Sequence, residues 1–119
     1  MKGATVISWG PPVRGRERQS LEVFGRALTF YDDLAKEGRI EGHREYFNLI
    51  GAAGGMMLVE GDLEELLALQ AEEETRRLHA EASSIVEGFR VELCMGGNEQ
   101  SVQEAMGTYT GVMEALALL

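Results

Sequence analysis

The 119-residue chain predicts an α+β fold: one four-stranded antiparallel sheet, helices on one face of it, and an added C-terminal helix. Three observations predict this. Long segments with apolar residues every three or four positions alternate with short β-rich segments. A glycine-rich turn, "GAAGG", separates the two central β-rich segments as a hairpin would. The resulting order is strand, helix, strand, strand, helix, strand, which is a split β-α-β unit used twice, the ferredoxin-like plan.

Each element has its own warrant. "ATVISW" (4–9) is β-branched and aromatic and stops at Gly-Pro-Pro, so it reads as a strand. From Arg16 or Glu17 to Glu37 a helix is expected. Leu21, Phe24, Leu28, Tyr31 and Ala35 recur at helical spacing, and Val23, Ala27, Phe30 and Leu34 widen the buried stripe. Arg18–Glu22, Glu22–Arg26 and Asp32–Lys36 are candidate i,i+4 pairs on the outer side. Gly38 ends the helix. Residues 39–50 and 56–61 read as the two strands of the hairpin. Asp62 with Glu65 forms a capping-box pattern for a helical stretch over 62–82, which "EEETRR" breaks in two. Residues 84–95 read as the last strand, with Phe89, Val91, Leu93 and Met95 on one face. Ser101 with Glu104 suggests a cap for a final helix at about 101–118, with the stripe Val102, Ala105, Met106, Tyr109, Met113 and Leu116. The length suits one domain, 1–119.

Helices on one side leave the other sheet face bare, and a domain of this size seldom leaves such a patch in water. Docking two sheets face to face in a homodimer removes it. At this level the element order resembles the dimeric α/β-barrel superfamily, which includes antibiotic-biosynthesis monooxygenases, muconolactone-isomerase-like proteins and YCII-related proteins. The stretches "WGPPVRGRE", "EGRIEGH", "GG", "VEGD" and "EGFRVE" are also similar to a group of uncharacterised bacterial proteins of this fold. The resemblance implies paired ferredoxin-like protomers. It implies no single activity, because the superfamily holds oxygenases, isomerases, haem-degrading enzymes and plain binding proteins. Its cofactor-less monooxygenases use an asparagine with tryptophans; Trp9 and Asn48 do not align with those roles. Its YCII-like members carry a histidine–aspartate pair, where His43 and His79 are followed two residues on by Glu45 and Glu81.

Charge narrows the partners. The net charge is −9, so nucleic acid is not an expected partner. The charge is uneven: residues 1–46 sum to +1 and residues 47–119 to −10. No run is apolar enough to span a bilayer, no signal peptide is evident, and neither a membrane partner nor a secretory route is expected. One cysteine, Cys94, allows no intrachain disulfide and is expected to be buried and inert; cytoplasmic location is the reading.

Arg14, Arg16 and Arg18 stand just before or at the start of the first helix, where the macrodipole disfavours cations. They read either as solvated charges paired with Glu17, Glu22 or acids of a partner chain, or as an anion site made by Arg14, Arg16 and the free helix N–H groups, with Trp9 as an apolar wall and Arg90 joining only if its sheet face opens toward that end. Glu41, His43 and Glu45 share one strand face, but the outer two lie roughly 13 Å apart at ~3.3 Å per residue, too far for one ion. His79 lacks a carboxylate three residues before it, since position 76 is Arg76, and reads as a helix-end histidine. No metal or cofactor is expected. The sequence therefore favours a dimeric binding or interaction module for a small anion or carboxylate, with Trp9, Arg14, Arg16, Tyr46 and Arg90 as candidate ligand residues. The alternative is a small cofactor-independent oxygenase or isomerase, in which Trp9, Tyr46, His43 or Arg90 converge on a pocket between helices and sheet.

Overall fold

A computed structural model describes residues 1–119. Strand β1 (Lys2–Trp9) leads to helix α1 (Glu17–Lys36), the hairpin β2 (Gly42–Phe47) and β3 (Gly55–Asp62), helices α2 (Leu63–Ala71) and α3 (Glu73–Ile85), strand β4 (Arg90–Met95) and helix α4 (Glu99–Ala115). The strands lie in the order β2-β3-β1-β4, all neighbours antiparallel. This is the expected ferredoxin-like sheet, open at both edges.

Strand alternation divides the sheet's two faces. Thr5 and Ile7 of β1 and Met57 and Val59 of β3 are buried beneath the helices, where Val23, Tyr31 and Leu34 of α1, Leu66 and Leu69 of α2 and Leu78 and Ile85 of α3 complete the core. Ala4, Val6, Met56 and Leu58 take the opposite face, which no helix covers in the protomer. Helix α1 ends as expected. Gly38 adopts φ +76°, and the amides of Gly38 and Arg39 bond back to the carbonyls of Ala35 and Leu34. Asp62 caps α2 by accepting from the Glu65 amide at 3.3 Å.

The structure corrects several local expectations. The last strand begins at Arg90, not at residue 84. Helix α3 runs on through Ile85, and Ser83 and Ser84 donate back to the Ala80 and Glu81 carbonyls rather than breaking the helix. Strand β2 ends at Phe47, because the Asn48 side chain donates to the Ala52 carbonyl at 2.8 Å and folds the chain into a loop. Leu49 and Ile50 therefore lie in the hairpin loop. Asn98, not Ser101, caps α4, accepting from the Ser101 amide at 2.8 Å. Ser101 is buried and its hydroxyl accepts from the Lys2 amide at 2.8 Å. Arg26 pairs with Glu81 of α3 rather than with Glu22, and Asp32 turns to His43 rather than to Lys36. Cys94 is exposed on the uncovered sheet face. Most of α4 projects from the protomer, with Val102, Met106, Tyr109, Val112 and Leu116 exposed.

Candidate functional site

A pocket of about 390 Å³ lies between α1, α3 and the helix-side face of the sheet. Its construction follows from three periodicities. Odd-numbered residues of β1 face the helices, which brings in Ile7 and Trp9. The inner stripe of α1 contributes Val23, Phe24, Ala27 and Tyr31. The inner stripe of α3 contributes Leu78, His79, Ala82 and Ile85. Phe47 and Met57 close it from the hairpin, and Val86 and Phe89 from the turn before β4. The hairpin comes this close to β1 because Gly54 is a glycine: a β-carbon there would collide with the Trp9 carbonyl, and φ is +135°.

The wall nearest the hairpin is an aromatic trio. Ring centroids lie 5.7 Å apart for Trp9 and Phe24, 5.5 Å for Phe24 and Phe47, and 6.3 Å for Trp9 and Phe47, all tilted or edge-on. On the α3 side the His79 ring lies 5.7 Å from that of Phe89. His79 Nε2 is 3.3 Å from the Tyr31 hydroxyl, which donates to it when the ring proton sits on Nδ1. Burial lowers the His79 pKa and raises that of Tyr31, so both are neutral near pH 7. The result is an apolar cavity whose few polar groups include the His79 ring and the hydroxyls of Tyr31 and Ser20, the last donating to the Glu17 carbonyl. No lysine or arginine lines it.

The residues expected from the sequence do not gather here. Trp9 lines the pocket. Tyr46 and Arg90 share a row of the sheet with Met56 and Ser8, on the uncovered face and at opposite edges, about 14 Å apart at ~4.8 Å per strand. Arg90 pairs with Glu92 at 3.1 Å. Arg14 and Arg16 are exposed in the loop before α1; Arg16 occupies the cap position without a side-chain cap.

His43 lies on the edge strand β2 but outside the pocket, and its side chain is shielded from solvent. It points under α1, with its side chain 10% exposed, and is held by Asp32 at Nε2 and Glu45 at Nδ1, both at 2.6 Å. The carboxylates grip opposite sides of the ring, so they do not converge on one point. Burial opposes the charged ring, but the hydrogen bonds and charges of Glu45 and Asp32 outweigh it, and the His43 pKa is raised.

Sequence reasoning missed His79, Tyr31, Phe24, Phe47 and Phe89 as pocket residues. The signal for His79 was present: Thr75, Leu78, Ala82 and Ile85 form a helical stripe that carries His79 on its flank, once the segment after Ala82 is read as helix.

No family model and no curated protein sequence matches the chain. Solved structures do match in fold. A dimeric ferredoxin-like protein of unknown function from Jannaschia sp. CCS1 superposes with a TM-score of 0.63 at 16% identity, over 81% of this chain and 100% of that one. A dimeric ferredoxin-like protein of unknown function from Bacteroides fragilis NCTC 9343 gives 0.56 at 9% identity, over 77% and 93%. SnoaB, a cofactor-independent oxygenase from Streptomyces nogalater, gives 0.58 at 13% identity, over 82% and 95%. The structural neighbours of this chain are thus dimeric ferredoxin-like proteins of unknown function and a cofactor-independent oxygenase, and with them it shares the ferredoxin-like fold.

Proposed function

We propose that the protein is a ligand-binding module that pairs with a second copy of itself, and that its ligand is a small, neutral, largely aromatic molecule held between α1, α3 and the sheet. The observation that carries this is the pocket's lining: aromatic and aliphatic walls, a neutral His79–Tyr31 pair, and no cation. A carboxylate placed there would lose its hydration without a partner, which is costly. A neutral ring system meets complementary faces and one hydrogen-bonding end. Pairing is supported by the partly exposed apolar centre of the sheet, Ala4, Val6, Met56 and Leu58, and by the exposed stripe of α4.

Trp9 is the only tryptophan of the chain and lines the pocket, so its fluorescence reads the site directly. N-phenyl-1-naphthylamine should perturb it saturably at one probe per protomer, and Ala82→Phe or Ala27→Phe should abolish that response. A linear, unsaturable response would defeat the reading.

Catalysis is the second reading, favoured by His79 alone, a desolvated neutral base beside an apolar cavity. Incorporation of one oxygen atom from labelled dioxygen into a polycyclic hydroquinone, with the second leaving as water and the reaction lost in His79→Leu, would establish an oxygenase; dioxygen uptake that yields only quinone and hydrogen peroxide would not. The small anion expected from the sequence belongs to Arg14 and Arg16, outside the pocket. Its test is a rise in melting temperature with phosphate that disappears in Arg14→Ala/Arg16→Ala.

A further inference from the structure

The end of the molecule at which β1 and β2 finish carries features that the pocket does not use. Trp9, Gly55 and Phe47 pair in one row, so the loop before α1 and the hairpin loop 48–54 leave the sheet at the same end. Leu49 and Ile50 sit side by side in that hairpin loop, 96% and 91% exposed, and neither lines the pocket. Leu21 of α1 and Phe47, both pocket-lining, are themselves 73% and 64% exposed at the same end. Arg14, Arg16 and Arg18, in the loop that follows β1 at this end and the first turn of α1, are exposed and outside every ion pair of the protomer.

We propose that this end docks on an anionic lipid surface, with Leu49 and Ile50 entering the acyl boundary and the three arginines meeting the headgroups. Charge complementarity selects this occupant. Segments 10–22 and 47–54 hold three arginines, none of them in an ion pair, against Glu17 and Glu22, in a chain of net charge −9. This end can therefore approach a negative surface while the rest of the molecule is held away from it. Large apolar side chains at a projecting loop, bordered by arginines whose stems also bury, match the layered chemistry of an interface: anionic outside, hydrocarbon beneath. The contact lies on the surface and spans nothing; no helix is long and apolar enough to cross a membrane. Leu21 and Phe47 then face the lipid, so a ligand dissolved in the bilayer has an apolar route into the pocket. The docking itself does not depend on the pocket's ligand.

The test is flotation of the full-length protein with vesicles of equal phosphatidylcholine and phosphatidylglycerol at low salt. The protein is expected to float with them, to float less with phosphatidylcholine alone, and to be released as salt screens the arginines. Leu49→Asp/Ile50→Asp should cut retention by about tenfold or more, since two buried side chains are lost to the interface. The exposure of both positions leaves the fold intact, checked by circular dichroism and by unchanged N-phenyl-1-naphthylamine binding without vesicles. Arg14→Ala/Arg16→Ala/Arg18→Ala should flatten the salt dependence. Absence of flotation, equal flotation on pure phosphatidylcholine, or retention unchanged in the Leu49/Ile50 variant overturns the proposal. So does a fall in assembly mass of that variant in solution, which would make the tip a contact between copies. Loss of probe binding with flotation preserved would defeat the pocket reading and leave the docking surface standing.

Discussion

His43 Nε2 lies 2.6 Å from Asp32 Oδ1, so the outer strand β2 is tied to helix α1 by one ring that a second carboxylate, Glu45, holds from behind. Both ring nitrogens face acceptors, and only the imidazolium can donate from both. The clamp matters beyond its own bonds. Helix α1 supplies one wall of the pocket and β2 supplies Phe47.

The first prediction follows from that charge state. The folded His43 pKa stands above its ordinary value of 6.5. The clamp is therefore fully stabilising below that unfolded value, and its contribution is lost as pH rises through the folded pKa. Urea midpoints measured over about pH 6 to 9 should fall on the alkaline side in the wild type. The same decline should be absent from His43→Gln, which is expected to lose about 1–3 kcal/mol at the acidic end. Parallel profiles for the two proteins would show that the clamp does not titrate in this range.

Thr5 and Thr75 are buried, and neither hydroxyl has a hydrogen-bond partner. Thr5 lies in the middle of β1 opposite Val59 and Leu93, among side chains that offer it nothing. Thr5→Val should raise stability by about 1 kcal/mol, because it removes an unpaired buried hydroxyl at nearly constant shape. Thermal denaturation checks this; a loss of stability would mean that the hydroxyl has a partner.

Filling the pocket should separate stability from binding. Ala82 projects into the cavity from α3. Ala82→Leu should stabilise the fold by roughly 0.5–2 kcal/mol and weaken N-phenyl-1-naphthylamine. A destabilised variant that still binds would place the ligand elsewhere.

The exposed stripe of α4 should govern pairing. Met106→Glu with Tyr109→Glu is expected to reduce the mass seen by light scattering to that of one chain. The far-UV spectrum should stay unchanged, since both side chains lie outside the protomer core. Unchanged mass would assign the interface to the sheet face alone.

Element order was legible because it rests on periodicity. The stripe of α1 and the alternation of β1 each have one solution, and a glycine run between two apolar segments reads as a hairpin. The error that mattered most for the site fell where two periods compete. Residues 84–95 contain a clean alternation from Phe89 onward. Nothing in Ser83–Ser84 announces that the backbone ladder runs on to Ile85, with both hydroxyls turned back onto carbonyls of the preceding turn. That shift hid His79, since a helix ending at Ala82 leaves it near a frayed end. The site was less legible for a different reason. Attention goes to charged clusters in a sequence, whereas this pocket is made of Phe24, Phe47, Phe89 and Trp9, which look like ordinary core. Only their arrangement in space leaves room between them.

Cys94 sits on the uncovered sheet face beside Ala4, and it is the only cysteine of the chain. The protein thus carries a natural, unique attachment point on the face that the pairing model buries or borders, and none near the pocket. A nitroxide placed there needs no engineered background. In a two-fold assembly it reports a single distance, related by the symmetry axis, which distinguishes sheets stacked face to face from protomers joined through their helical arms.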